Sequence, residues 1–269
     1  MFSKELARFA GAVLGFVFLL SLFIRLPDVM ANGCNLYGCD DDCEFTSDFR
    51  LEDCRFKNNG TNPYFILKPG YRLILVNEDE KSVETVLCDT KKITLENGRK
   101  IKTRVVEERA IEKDGDEWKT VEISLNWFAI CKKTNAVYYF GEWSRDCEDG
   151  FDENDVCTGD ESNEGSWEAG VKGAMPGLIM PGTPLIGARY FQEIAPLDYA
   201  VDRGQFVDVG FDLGEWSGCI EIDDTNPSEG ECDLGEDVKI YCPGVGLVQD
   251  QELELVWHGF VGCDDKDDD

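Results

Sequence analysis

The segment VEISLNW, residues 121–127, decides the fold class, because apolar and polar residues alternate along it without a break. The apolar residues all have odd numbers and the polar residues all have even numbers. A period of two is typical of a β-strand that buries one face and exposes the other to water. We therefore expect Leu125 and Trp127 to be buried together, and Glu122 and Asn126 to point outward.

The same alternation recurs along most of the chain. Similar runs cover residues 71–77, 83–88, 101–107, 136–142, 188–193, 205–211, 237–242 and 253–257. Asn97-Gly98 and Asp114-Gly115 suit tight hairpin turns between such runs. About nine consecutive strands predict an all-β fold, an antiparallel meander that forms a barrel or half-barrel.

The N-terminal residues predict export from the cell. Lys4 and Arg8 precede an apolar run at residues 9–24, and residues 29–31 (VMA) have the small-x-small pattern that signal peptidase recognises. We therefore interpret residues 1–31 as a signal peptide and expect the mature protein to be secreted and extracellular. A retained membrane anchor stays open, although the run is shorter than the ~20 residues that span a bilayer as a helix.

The formal net charge of −29 at pH 7 restricts the partners of the protein. A strongly negative surface repels the phosphates of nucleic acids and of anionic lipids, and it attracts cations. We expect divalent cations as partners, with extracellular matrix or cell-surface components as further candidates and no nucleic acid. Membrane contact is expected only if the N-terminal segment is retained.

All twelve cysteines follow residue 31, and an even number of cysteines in an exported chain predicts a disulfide framework. The chain has no Cys-x-x-Cys pair, and His258 is its only histidine, which argues against a zinc site. Cys147 and Cys157 bracket one acidic loop, and Cys219 and Cys232 bracket another. We expect both loops to be stapled, and the remaining connectivity stays open.

Changes in composition predict the domain organisation. Residues 32–57 are a cysteine-rich N-terminal cap, residues 58–263 form a single β domain with an acidic insert at 144–164, and residues 264–269 are an acidic tail. The stretch 165–187 is rich in glycine and proline but also contains large apolar residues, which disordered linkers lack. We expect it to be an ordered loop packed against the barrel.

Five short motifs resemble an uncharacterised family of secreted, mainly bacterial β-proteins, over about residues 61–257. They are NWFA (126–129), VYYFGE (137–142), GSWEAG (165–170), PGLIMP (176–181) and YFQE (190–193). The segment YCPGVGLV (241–248) resembles the late hairpin of lipocalin-like and lipoprotein-carrier-like half-barrels. The resemblance implies a β-barrel or half-barrel and attaches no activity to it.

The acidic insert has the sharpest functional signal. Calcium takes six to eight oxygen ligands from a loop in which a glycine permits a sharp turn. The candidate ligands in this loop, which also contains Gly150, are Asp146, Asp149, Asp152, Asn154 and Asp155. The order of these residues resembles the end of a thrombospondin type 3 calcium repeat, with a spacing one residue shorter. The alternative is a solvated acidic loop that binds no metal.

Enzyme signatures are mostly missing, since the sequence contains no nucleophile elbow, phosphate loop or dinucleotide fingerprint. We assign no catalytic residue and interpret His258 as structural. The sequence favours a secreted, non-enzymatic, calcium-binding matrix or adhesion protein. A β-barrel carrier of a small apolar ligand is the alternative, and a hydrolase that uses paired carboxylates is a third candidate.

Overall fold

A computed structural model describes residues 45–228, 235 and 237–262. The predicted signal peptide, residues 32–44 of the cap and the tail at 264–269 lie outside the described residues. Within the described ranges, no helix has both the length and the apolar character needed to cross a bilayer. The elements are a 3-10 helix at Leu51–Asp53 and the strands β1 (Phe56–Lys57), β2 (Gly60–Asn62), β3 (Phe65–Leu67), β4 (Tyr71–Val76), β5 (Glu80–Thr94), β6 (Lys100–Asp114), β7 (Glu117–Cys131), β8 (Val137–Cys147), β9 (Glu161–Ser162), β10 (Trp167–Glu168), β11 (Gly177–Met180), β12 (Arg189–Phe191), β13 (Arg203–Leu213), β14 (Trp216–Thr225), β15 (Asp237–Cys242), β16 (Gly246–Asp250) and β17 (Leu253–Phe260).

The strands form an antiparallel meander, as the sequence predicts. Fifteen of them belong to one sheet, whose order is β10-β8-β7-β6-β5-β4-β17-β16-β15-β14-β13-β12, with β1, β9 and β11 paired beside this path. The two ends of the path, β10 and β12, do not pair with each other. The all-β, half-barrel prediction is therefore confirmed, and the sheet is not closed into a full barrel.

Three long strands form the centre of the sheet. β5, β6 and β7 each contain fifteen residues, about twice the length of the runs predicted from the sequence. Asn97-Gly98 connects β5 to β6, and Asp114-Gly115 connects β6 to β7, so both predicted hairpins are confirmed. Gly98 and Gly115 have φ values of +79° and +65°, a conformation that most other residues adopt only with strain.

The period of two predicted for the segment 121–127 is right and Trp127 is buried as expected, but the outward orientation predicted for Glu122 and Asn126 is wrong. Ser124 and Asn126 are buried, with only 3% and 6% of their surface exposed. Together with Glu122 they face a cavity inside the curved sheet. Trp127 is buried on the opposite face, where Leu125 is half-buried. The polar face of this strand is therefore an interior face, a possibility that alternation alone does not distinguish from a solvated one.

Trp127 carries a first prediction about stability. Its ring is 5% exposed and lies against Gly141 and beneath the Lys91 ammonium, which is 3.2 Å from the ring centroid. We expect Trp127→Ala to lower the free energy of unfolding by ~3–5 kcal/mol, the usual cost of deleting a buried aromatic side chain. Denaturant unfolding measures this loss. Trp143→Ala is the matched control, because Trp143 is 41% exposed, and equal losses in the two variants would contradict the assigned burial.

Disulfides staple the sheet. The structure contains Cys54–Cys131, Cys147–Cys157 and Cys219–Cys242, and Cys88 is also disulfide-bonded. The staple across the acidic insert is confirmed. The expected partnership of Cys219 with Cys232 is wrong, because Cys219 faces Cys242 across the neighbouring strands β14 and β15. No cysteine among the described residues is free, which is consistent with an oxidising, extracellular location.

The glycine-rich stretch 165–187 is ordered and packed against the sheet, as predicted. It contributes β10 and β11, which both pair with β8. Trp167, Ala169 and Met180 are buried within it. Gly177 permits a very close approach, since a Cβ atom there would lie 1.8 Å from the carbonyl oxygen of Gln192. This contact holds the segment 190–193 against the interior of the sheet.

Candidate cation-binding cavity

The curved sheet encloses a cavity of about 340 Å³. Its walls come from β4 to β8 on one side and from β15 and β16 on the other. The turn between β2 and β3 and the segment 192–193 also contribute side chains. A volume of this size is at the lower end of the range for small-molecule sites, about 300–1,000 Å³.

The lining of the cavity is unusual in its charge. Eight carboxylates line it, and Lys239 is the only basic residue among the described residues of the lining. The carboxylates belong to Glu84, Glu108, Glu122, Glu142, Glu193, Asp202, Asp224 and Asp250. Neighbouring carboxylates in a water-poor space repel one another strongly unless protons or cations neutralise them.

Lys239 provides the positive charge at one end of the cavity, which we call the lysine end. Its ammonium lies 3.0 Å from Asp224, 3.6 Å from Asp237 and 4.0 Å from Asp250. Burial by itself lowers the pKa of Lys239, but these three carboxylates outweigh that effect and raise the pKa well above its usual value. Asp224 also accepts a hydrogen bond of 2.7 Å from the Gln192 amide. The lysine end therefore already holds an ammonium group among its carboxylates.

Glu142 and Glu193 mark a second region, which we call the glutamate end. The Tyr139 hydroxyl donates to Glu142 Oε2 at 3.0 Å, and Trp167 Nε1 donates to Glu193 Oε1 at 3.2 Å. Glu193 is only 6% exposed. Within the described part of the chain, no basic side chain pairs with either glutamate, and Glu193 Oε2 accepts no hydrogen bond. The glutamate end therefore has donors but no compensating cation.

The pKa values of the cavity carboxylates reflect this imbalance. Burial, reinforced by Asp202, Glu122 and Glu108, raises the pKa of Glu142 to about 8, against the lowering effect of the Tyr139 hydrogen bond. Burial and neighbouring carboxylates raise the pKa of Glu108 to about 7. In Glu193 the same two causes raise the pKa well above its usual value. Some of these carboxyl groups therefore carry protons at neutral pH.

Glu84, on β5, lines the cavity without a hydrogen-bond partner among the described side chains. Burial raises its pKa well above the usual value, and the nearby Glu108 and Asp250 raise it further. Glu84 lies directly opposite Glu108 in the β5–β6 register. Like charges in this position destabilise a sheet when both are ionised.

An aromatic row leads along the cavity to the glutamate end. The rings of Phe65 and Phe128 meet edge to face at 5.1 Å, and Phe128 stacks on Tyr139 at 4.6 Å. Tyr139 meets Trp167 edge to face at 5.4 Å. Tyr139 and Trp167 are the same residues that donate to Glu142 and Glu193. The cavity thus joins aromatic surface to a pair of carboxylates.

The turn between β2 and β3 covers part of the cavity. Tyr64, within this turn, donates from its hydroxyl to the Gly218 carbonyl at 3.1 Å, and the Gly244 amide donates to the Pro63 carbonyl at 2.7 Å. The Asn62 amide donates to the carbonyls of Asn135 and Pro181. These bonds attach the turn to several distant parts of the chain, so Phe65 is held in place over the cavity.

The predicted calcium ligands each contact a different part of the structure. Asp155 receives two hydrogen bonds from the Arg109 guanidinium, at 2.7 and 2.8 Å. Asp152 Oδ1 accepts the backbone amides of Asn154 and Val156. Asp146 is exposed, and partial desolvation followed by repulsion from Glu164 raises its pKa. Asp149 lies against Gly159.

Calcium binding by this loop stays a prediction. Within the ranges that the structure describes, no group of three or more acidic, histidine or cysteine side chains is arranged to hold a metal. If calcium binds this loop, Tm should rise at millimolar calcium. At a calcium concentration about ten times Kd, the free energy of unfolding should increase by roughly 1.4 kcal/mol. Asp149→Asn with Asp152→Asn should remove that rise, measured by calorimetry. Asp155 is left unchanged because its loss would also break the contact with Arg109. The absence of any shift in the wild type would contradict the prediction.

Sequence reasoning missed the cavity carboxylates because they occupy polar positions of alternating strands, which were assigned to solvent. A signal was nevertheless present in the strand register. Glu84 faces Glu108 across β5 and β6, and Asn126 faces Glu142 across β7 and β8. A directly opposed glutamate pair such as Glu84 and Glu108 is unfavourable on an ordinary surface. Comparison with protein-family models, with curated proteins and with solved structures finds no match to this chain.

Proposed function

We propose that the protein is a secreted carrier that holds a small organic cation inside its curved sheet. The observation that carries this proposal is the glutamate end, where the buried Glu193 and the half-buried Glu142 have no compensating cation among the described residues. A buried carboxylate is stable only when it is protonated, hydrogen-bonded or paired with a positive charge. A ligand with an ammonium or guanidinium group would supply that charge together with hydrogen-bond donors.

The chemistry of the lining favours an organic cation over the two ligands considered from the sequence. A wholly apolar ligand would leave Glu142 and Glu193 without a positively charged partner, which is costly in a buried site. A bare metal ion needs several oxygens converging on one point, and the described carboxylates do not form such a group. An organic cation has a positive charge at one place and apolar surface elsewhere. The lining is complementary, with carboxylates at one place and aromatic and aliphatic side chains elsewhere.

Lys239 is an internal example of the proposed interaction. It places a primary ammonium in the cavity within 4.0 Å of three carboxylates. A second example is on the outer face, where Lys91 lies 2.8 Å from Glu168 and 3.2 Å from the centroid of the Trp127 ring. The fold therefore already accommodates ammonium groups against carboxylates and aromatic rings.

The proposal is tested by isothermal titration calorimetry on the oxidised protein at neutral pH, with phenylethylamine and the diamine putrescine as probes. We expect at least one amine to bind in the cavity. Glu193→Gln should weaken that binding by about tenfold or more, because a charged hydrogen bond is worth roughly 1.5–3 kcal/mol. Glu215→Gln is the matched control, since Glu215 is exposed and distant from the lining. Failure of both amines to bind would overturn the proposal.

A further inference from the structure

We infer that the ligand is an amphipathic monoamine, with one ammonium at the glutamate end and an aromatic group along the row formed by Phe65, Phe128 and Tyr139. This inference rests on the proposed function and specifies the class of ligand. It follows from the difference between the two ends of the cavity.

The lysine end already holds one ammonium group, that of Lys239. Asp224, Asp237 and Asp250 already surround the Lys239 ammonium, at 3.0, 3.6 and 4.0 Å. A diamine whose second ammonium reached this end would meet Lys239, and two like charges at close range repel. The cavity is therefore matched to a ligand with a single positive charge.

The glutamate end offers a place for that charge. Glu193 is almost fully buried, with 6% of its surface exposed, and its Oε2 atom accepts no hydrogen bond from the described side chains. Glu142 lines the same cavity and is linked to Glu193 through the neighbouring rings of Tyr139 and Trp167. An ammonium group has three donors, which suits two carboxylates that approach from different sides.

The aromatic row offers a place for the remainder of the ligand. Successive centroid separations of 5.1 and 4.6 Å place Phe65, Phe128 and Tyr139 in one continuous aromatic surface. Ile66 and Ile179 add aliphatic surface to the same lining. Aromatic rings attract cations at their faces and pack well against a second aromatic group. A flexible aliphatic chain would use this surface less well.

Competitive titration calorimetry distinguishes ligands with one ammonium group from ligands with two. The probes are phenylethylamine, putrescine and phenylethanol, the last being a neutral relative of the first. We expect phenylethylamine to bind about tenfold or more tightly than either of the others, because each of them lacks one of the two interactions. Tighter binding of putrescine would overturn the inference while leaving the proposed function intact. Equal binding of phenylethanol would overturn both the inference and the role assigned to the carboxylates.

Two variants locate the aromatic group and the charge separately. Phe65→Leu keeps a large apolar side chain at the start of β3 but removes one aromatic contact. It should weaken the binding of phenylethylamine by about threefold or more and leave the binding of butylamine unchanged. Glu142→Gln should weaken the binding of both phenylethylamine and butylamine. Circular dichroism on each variant checks that it is folded. An unchanged phenylethylamine affinity in a folded Phe65→Leu protein would contradict the assigned position of the ring.

Discussion

The ligand-free protein should lose stability as the pH rises from about 5 to about 8. Burial raises the pKa of Asp224 to about 6, of Glu108 to about 7 and of Glu142 to about 8. In this interval the folded state therefore binds more protons than the unfolded state, and the free energy of unfolding falls with increasing pH. The contribution is fully present below the unfolded-state pKa of a carboxyl group and is lost as pH passes through the raised values.

The expected size of this loss is considerable. One unit of pKa shift corresponds to about 1.4 kcal/mol, so the shared titration of several cavity carboxyls amounts to roughly 3 kcal/mol or more. For a domain of this size Tm should fall by about 10 °C between pH 5 and pH 8. Differential scanning calorimetry measures the change directly.

A double variant is the control for this prediction. Glu108→Gln with Glu142→Gln removes two titrating groups from the cavity while keeping similar volume, so its Tm should change much less between the same two pH values. The surface variant Glu215→Gln should behave as the wild type does, because Glu215 is exposed. A wild-type Tm that rises with pH would contradict the assignment of these carboxyls to a buried, uncompensated site.

Removal of Lys239 should have a similarly large effect. Lys239→Met leaves Asp224, which is 7% exposed, without its ion-pair partner at 3.0 Å. Breaking a buried ion pair by deleting one partner costs about 3–5 kcal/mol, because a charge remains buried and uncompensated. Chemical denaturation at pH 8 measures the loss. The loss should be smaller at pH 5, where Asp224 is protonated, since its pKa is about 6.

A second substitution separates loss of the pair from loss of packing. Lys239→Met with Asp224→Asn removes both charges and should recover much of the stability lost in the single variant at pH 8. Lack of recovery would mean that the lysine stabilises the fold through its aliphatic part and not through its charge.

The fold class was accessible from the sequence because the period of two is a property of the chain itself. The hairpins at Asn97-Gly98 and Asp114-Gly115 were equally local, as was the short disulfide loop between Cys147 and Cys157. The ordered segment 165–187 followed from its apolar residues. In each case the information lies within about twenty residues of sequence.

The candidate site was not accessible in the same way. Its carboxylates come from at least six strands and become neighbours only when the sheet curls, so no short motif contains them. The alternating pattern also describes an interior polar face and an exterior one equally well, and for this reason the outward orientation predicted for Glu122 and Asn126 is wrong. The partner of Cys219 likewise depends on the pairing of β14 with β15.

The Cys54–Cys131 bond has a consequence for proteolysis. It spans seventy-seven residues and encloses the turns at 97–98 and 114–115, which are exposed hairpin tips. A protease that cuts at either tip would produce two pieces that remain covalently joined, with the long strands still hydrogen-bonded to their neighbours. A nicked molecule would therefore keep the walls around its interior and would reveal the cut only on a reducing gel.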